Sequence, residues 1–134
     1  MTEAVLDASV VLKWFARTPE RGQPEARALR GDYQGGRLAV VVPSLFFLEL
    51  LNVAGRRWGW DELALGELAG ALQDLLFEVA EPELAQVAAW AFRGLTAYDA
   101  AYVALAEERA VPLLTDDDTI VKVAGEIARP LVPR

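Results

Sequence analysis

The apolar positions of this chain fall into short runs with two different periods. Three runs, 4–6, 38–42 and 111–115, are nearly continuous and rich in Val and Leu, and Pro43 stops the second. Runs of that kind suit strands buried on both faces of a sheet. Between them the spacing becomes helical. Over 9–16 it gathers Val10, Val11, Trp14 and Phe15, with Lys13 and Arg17 four apart on the other side. Pro43-Ser44 reads as a helix start for an almost wholly apolar body over 45–57, and 61–76 is a further helix through Leu65, Leu68, Leu72 and Leu75. Segments 82–92 and 97–109 give two more helices and 118–127 a short one. A last strand over 130–132 belongs at an edge, because proline is tolerated only at an edge or a strand start. Short turns at Thr18-Pro19, Gly35-Gly36, Trp58-Gly59 and Glu81-Pro82 separate the elements. Strands separated by helices pair in parallel through right-handed crossovers, so the expected fold is α/β, a three-layer α/β/α sandwich with a central parallel sheet. At 134 residues the chain suits a single domain over 1–134.

Composition narrows the chemistry. Cysteine and histidine are both absent. That removes disulfides, thiolate nucleophiles, Cys/His zinc sites and imidazole proton carriers, and leaves mostly carboxylates. The net charge of −7 is the wrong sign for a broad basic surface that grips nucleic acid. The charge is uneven, however: residues 1–60 carry 8 basic and 6 acidic side chains, and residues 61–134 carry 5 and 14. A polyanion is therefore expected to approach through the first half or through bound cations. No apolar stretch reaches the length of a membrane span, and an acid, Glu3, stands where a leader needs a base, so a cytoplasmic protein is expected.

The carboxylates stand where such a sheet binds ligands, outside the carboxyl ends of its strands. Asp7 closes the first strand, just before Ser9, although an Asp there also makes a good helix cap. Glu49 interrupts an apolar helix, where an unpaired carboxylate costs several kcal/mol to bury and so calls for a partner or a metal. The bland reading places it on a solvated stripe near Asn52 and Arg56. Asp99 ends Thr96-Ala97-Tyr98-Asp99, the spacing of a capping box, ahead of a helix of small apolar residues. Asp116, Asp117 and Asp118 follow the strand ending at Thr115; their mutual repulsion needs a cation or a helix N-terminus. Each acid alone has a structural explanation. Together, Asp7 and the Asp116 run end strands on one edge, and two helices can deliver Glu49 and Asp99 beside them. An all-oxygen cluster of this kind suits Mg²⁺ or Mn²⁺, which can supply both a nucleophile and charge neutralisation for phosphodiester cleavage without histidine.

At these residues the sequence resembles the PIN-domain family, and within it the VapC-type toxins of toxin–antitoxin pairs. The matching pieces run in the family's order: Val5-Leu6-Asp7-Ala8-Ser9, the Pro43-Ser44 helix with Glu49 and Asn52, the segment from Thr96 to Ala106, and Leu113-Leu114-Thr115-Asp116-Asp117-Asp118. The resemblance implies a PIN-like parallel sheet, Mg²⁺ or Mn²⁺ dependence, RNA cleavage, a homodimer, and inhibition by a small DNA-binding antitoxin. By position it makes Asp7, Glu49 and Asp99 the metal-binding acids, Ser9 a hydroxyl supporting Asp7, and Asp117 the fourth acid, with Asp116 as its alternative and Thr115 as a supporting hydrogen-bonding residue. Lys13, Arg17, Arg56 and Arg57 are candidate phosphate contacts, and Trp14 or Tyr98 candidate stacking surfaces. The Leu- and Trp-rich stretch 58–92 holds more apolar surface than a monomer this size readily hides, so a dimer or antitoxin contact is expected there. Two rival readings are a PIN-like interaction module that cuts nothing and a phosphotransfer domain with Asp7 as nucleophile. The second lacks the acid two residues after Asp7, where Ser9 stands.

Overall fold

The computed structural model describes residues 1–133. The strands are β1 (Thr2–Leu6), β2 (Leu38–Val42), β3 (Glu78–Val79), β4 (Leu113–Thr115) and β5 (Ala128–Pro130). The helices are α1 (Ala8–Phe15), α2 (Gln23–Gln34), α3 (Leu45–Arg56), α4 (Glu62–Asp74), α5 (Leu84–Phe92), α6 (Ala97–Arg109) and α7 (Asp118–Val123). All strand pairs are parallel, in the order β3-β2-β1-β4-β5. The continuous apolar runs occupy the centre of this sheet. Ala4, Val5 and Leu6 of β1 and Val40, Val41 and Val42 of β2 are buried, as parallel strands covered on both faces require.

Strand order places the ligand crevice. The chain steps from β1 to β2 to β3 in one direction, then returns through α5 and α6 to β4 on the other side of β1. Right-handed crossovers in opposite directions put helices on opposite faces, and the sheet therefore has its switch point between β1 and β4. The register there pairs Leu6 with Leu114, and the Asp7 N–H donates to the Leu114 carbonyl at 3.3 Å. One residue further on, Asp7 and Thr115 stand side by side at the carboxyl edge.

Three elements depart from the sequence reading. Helix α2 was not expected: its apolar stripe is thin, and only Gln23 and Ala26 are buried. Its start relies instead on Pro24 in the first turn and on Gly22, which has φ +80° and whose position would bring a Cβ to 3.1 Å from Val132. Strand β3 is two residues long, too short to carry an alternation. The last strand is indeed at an edge, but over Ala128–Pro130 instead of 130–132, because the small buried Ala128 fits opposite Leu113. In the stretch 58–92, Leu63, Leu76, Val79 and Leu84 are exposed, and Phe92 is 92% exposed. No helix among the described residues is long and apolar enough to cross a membrane.

Candidate active site

Asp7 is the centre of the carboxyl edge. It occupies the N-cap position of α1, yet its side chain makes no cap hydrogen bond, so the capping explanation fails for it. Instead Ser9 Oγ donates to Asp7 Oδ1 and Thr115 Oγ1 donates to Asp7 Oδ2, both at 2.5 Å. Each hydroxyl also accepts a backbone N–H: Ser9 Oγ that of Asp116 at 2.9 Å, and Thr115 Oγ1 that of Asp117 at 3.0 Å. A backbone N–H can only donate, so both hydroxyl protons are directed at Asp7, an arrangement that favours its ionised form. Burial acts the other way and wins, pushing the carboxyl up to about 7; the charge of Asp99 adds to the rise and the two hydroxyls oppose it.

Glu49 and Asp99 come from helices on either side. Glu49, half-buried on α3, accepts from the Tyr102 hydroxyl at 2.5 Å. The solvated-stripe reading of Glu49 therefore fails. Its carboxyl lies above the usual range, because of partial burial first and the charge of Asp99 after it, against the Tyr102 hydrogen bond. Thr96 caps α6 by accepting the Asp99 N–H at 3.1 Å, as the capping-box spacing predicts. The cap does not exhaust Asp99, whose half-buried carboxyl is raised by desolvation and then by the charge of Asp117, with the Thr96 hydroxyl opposing. Asp99 is thus the electrostatic hub: its charge bears on Asp7 and Glu49, and that of Asp117 bears on it.

The acidic run divides its labour. Asp117 caps α7, its Oδ1 accepting from the N–H groups of Thr119 at 2.8 Å and Ile120 at 3.1 Å. Asp116 pairs with Lys13, Oδ2 to Nζ at 3.1 Å. Lys13 is buried and engaged with Asp116. Arg17 lies over the Trp60 ring, 4.1 Å from its centroid, while Arg56 and Arg57 are exposed at the end of α3. Trp14 is not a stacking surface: it belongs to the core, with Nε1 donating to the Ala26 carbonyl at 2.7 Å. Tyr98 is exposed at the start of α6.

Sequence reasoning had not singled out Tyr102. It is buried, with its hydroxyl ionisation pushed far up, by burial first and then by the charge of Glu49. Its signal was present: a tyrosine inside a helix of small apolar residues must find a partner for its hydroxyl, and Tyr102 stands one turn after Asp99 on the same face.

An all-oxygen donor set of this kind matches a hard divalent cation. As arranged, however, no three acidic side chains among the described residues stand close enough together to hold one ion. Asp7 is fixed by its two hydroxyls. Closing a coordination sphere would therefore fall to side-chain rotation by the half-buried Glu49 and Asp99.

The PIN domain family model matches residues 4–126. No curated protein sequence matches this one. Among solved structures, PAE2754 from Pyrobaculum aerophilum is similar at 25% identity and TM-score 0.68, covering 97% of this chain and 91% of its own. VapC20 of Mycobacterium tuberculosis, a sarcin-ricin loop cleaving toxin, is similar at 15% identity and TM-score 0.69, covering 90% and 95%. FitAB bound to a DNA fragment is similar at 16% identity and TM-score 0.57, covering 96% and 94%.

Proposed function

We propose, from the premise that this chain belongs to the PIN-domain family, that it is a Mg²⁺- or Mn²⁺-dependent endoribonuclease. One observation carries the reading. Asp7 is buried at the switch point of the sheet with both oxygens aligned by hydroxyls, no ion pair among the described residues involves it, and the charge of Asp99 bears on it, as that of Asp117 bears on Asp99. A divalent cation bound there would lower the pKa of a water and neutralise charge on the scissile phosphate. In this reading Asp7, Glu49 and Asp99 hold the ion. Ser9 and Thr115 align Asp7, and Tyr102 positions Glu49. Asp117, whose charge reaches Asp99, is the fourth acid, while Asp116 is engaged with Lys13.

The likeness in fold to VapC20 and FitAB supports a role as the toxin of a toxin–antitoxin pair. The exposed apolar residues between 58 and 92 support a homodimer or an antitoxin contact, and a cytoplasmic location goes with that role. A second reading, a non-catalytic interaction module of the same fold, is favoured by the lack of a ready-made three-acid cluster among the described residues. The deciding experiment is cleavage of a mixed, end-labelled RNA pool with Mg²⁺, with Mn²⁺ and with EDTA, by wild type, Asp7→Asn and Asp99→Asn. Metal-dependent cleavage lost in both variants supports the nuclease. Equal inactivity of all three, with no divalent-ion binding by calorimetry, leaves the interaction module.

A further inference from the structure

A cavity of about 590 Å³ is lined by Arg17, Trp58, Trp60, Asp61 and Glu67 among others. Its size falls in the ordinary range for small-molecule sites. A smaller cleft of about 190 Å³ is lined by Ser9, Lys13, Asp116, Arg57 and Trp58 among others. Trp58 lines both cavities, and Ser9 also holds Asp7. Trp58 is thus the residue that the two share, and the smaller cleft reaches the hydroxyl that holds the buried carboxylate. An occupant of the large cavity and one of the smaller cleft would both touch Trp58.

The lining has a definite chemistry. Trp58 and Trp60 are only partly buried, with ring centroids 5.3 Å apart and planes tilted by 43°, so neither ring closes off the other. Both indoles pack against the core on one side and line the cavity on the other. The Arg17 guanidinium over Trp60 is the planar cation that single-stranded nucleic-acid sites combine with aromatic rings. Arg57, exposed and lining the smaller cleft together with Trp58 and Ser9, is available to a phosphate. The remaining polar groups of the cavity include two carboxylates, Asp61 and Glu67, which accept hydrogen bonds. Asp61 already accepts from the Ala64 N–H at 2.9 Å, and Glu67 is exposed.

Resting on the nuclease reading, we infer that this cavity is a subsite for one unpaired nucleotide of the RNA, next to the scissile phosphate. Its base stacks on the Trp58–Trp60 pair and its flanking phosphate meets Arg57. The carboxylates favour a base edge that presents N–H donors. Substrates are then single-stranded at this nucleotide, because a paired and stacked base has no free face to offer.

The test uses Trp60→Leu, Trp60→Phe and Arg57→Ala beside wild type, on unstructured 12-nucleotide RNAs with one abasic position walked along the strand. Cleavage in Mg²⁺ is read as KM and kcat. Binding is read as tryptophan emission in an Asp99→Asn background, where the buried Trp14 and Trp90 are insulated from ligand. Trp60→Leu is expected to raise KM about tenfold or more with kcat little changed, the size of one lost base stack, and Trp60→Phe to recover most of it. An abasic site at one fixed distance from the cut should cost a similar factor in wild type and nothing further in Trp60→Leu. Unchanged KM in a folded Trp60→Leu protein, or RNA binding without any change in emission, overturns the subsite while leaving the nuclease standing. Emission that responds to an arginine-rich peptide but not to RNA assigns the cavity to a protein partner and also overturns it. If no RNA is cut under any metal condition, the nuclease reading itself has failed, and the subsite with it.

Discussion

The two ends of the sheet treat carboxylates in opposite ways. At the amino end, Arg109, at the close of α6, lies 3.7 Å from Glu3 of β1 and hydrogen-bonds Glu78 of β3. Acid is met there by a guanidinium within the chain. At the carboxyl end Lys13 takes Asp116, and among the described residues no ion pair involves Asp7, Glu49, Asp99 or Asp117. These four meet hydroxyls, backbone N–H groups and one another. The chain thus pairs its acids with guanidinium at the amino end and leaves four of them without an ion pair at the carboxyl end, among the described residues. The cost of burial and mutual repulsion at the carboxyl end is relieved either by proton uptake, as the raised carboxyls of Asp7, Glu49 and Asp99 show, or by an outside cation.

The largest effect that sharpens this contrast is on turnover. Asp7→Asn and Asp99→Asn are each expected to lower the rate of RNA cleavage a hundredfold or more, about 3 kcal/mol of lost transition-state stabilisation. Single-turnover assays at saturating Mg²⁺ would measure it. Retained cleavage in either variant would erase the distinction between the two ends.

Next in size is the dependence of stability on pH in EDTA. Asp7 titrates near 7 when folded, against 3.8 as its ordinary value, so the folded protein holds the proton more tightly than the unfolded chain. The contribution is fully present below about pH 4 and is lost as pH rises through 7. Its upper bound is roughly 4 kcal/mol, at about 1.4 kcal/mol per pKa unit. The raised carboxyls of Glu49 and Asp99 act in the same direction. Thermal melting across this range should fall in EDTA, recover with Mg²⁺ chiefly above pH 6, and flatten in Asp7→Asn. A profile that rises from pH 5 to 7 in EDTA would contradict the electrostatic picture of the site.

Tyr102→Phe removes one hydroxyl donated to a carboxylate and leaves the ring. A stability loss of roughly 1.5–3 kcal/mol is expected from urea denaturation, with a severalfold fall in cleavage at constant Mg²⁺. The smallest effect belongs to the amino end. Arg109→Ala removes exposed ion pairs, which contribute little; cleavage should be unchanged and melting nearly so, and a large drop in activity would break the division between the ends.

How much of this could be read in advance depends on where the information lies. Strands β1 and β2 were visible because a central parallel strand must be apolar on both faces, and α6 because Thr96 and Asp99 mark its start. Helix α2 escaped because it buries little and its signals are Gly22 and Pro24 rather than a stripe. The expectation that Asp7 and the Asp116 run end strands on one edge followed from the strand ends alone, and the parallel β1–β4 pairing has that arrangement. What sequence could not separate was Asp116 from Asp117, since the difference is made by Lys13, a side chain more than 100 positions away in the chain. Glu49's partner was hidden for the same reason: Tyr102 meets it only after α3 and α6 have packed about the sheet.

The two hydroxyls beside Asp7 restrict the alphabet allowed at their positions. At 9 and 115 one small atom must accept a hydrogen bond from a backbone amide and donate its own to a carboxylate. Alanine and valine do neither, asparagine and glutamine divide the two acts between different atoms, and an ionised acid can only accept. Serine and threonine do both. Random mutagenesis at these positions, selected for RNA cleavage, should return serine and threonine, interchangeable with each other and with little else.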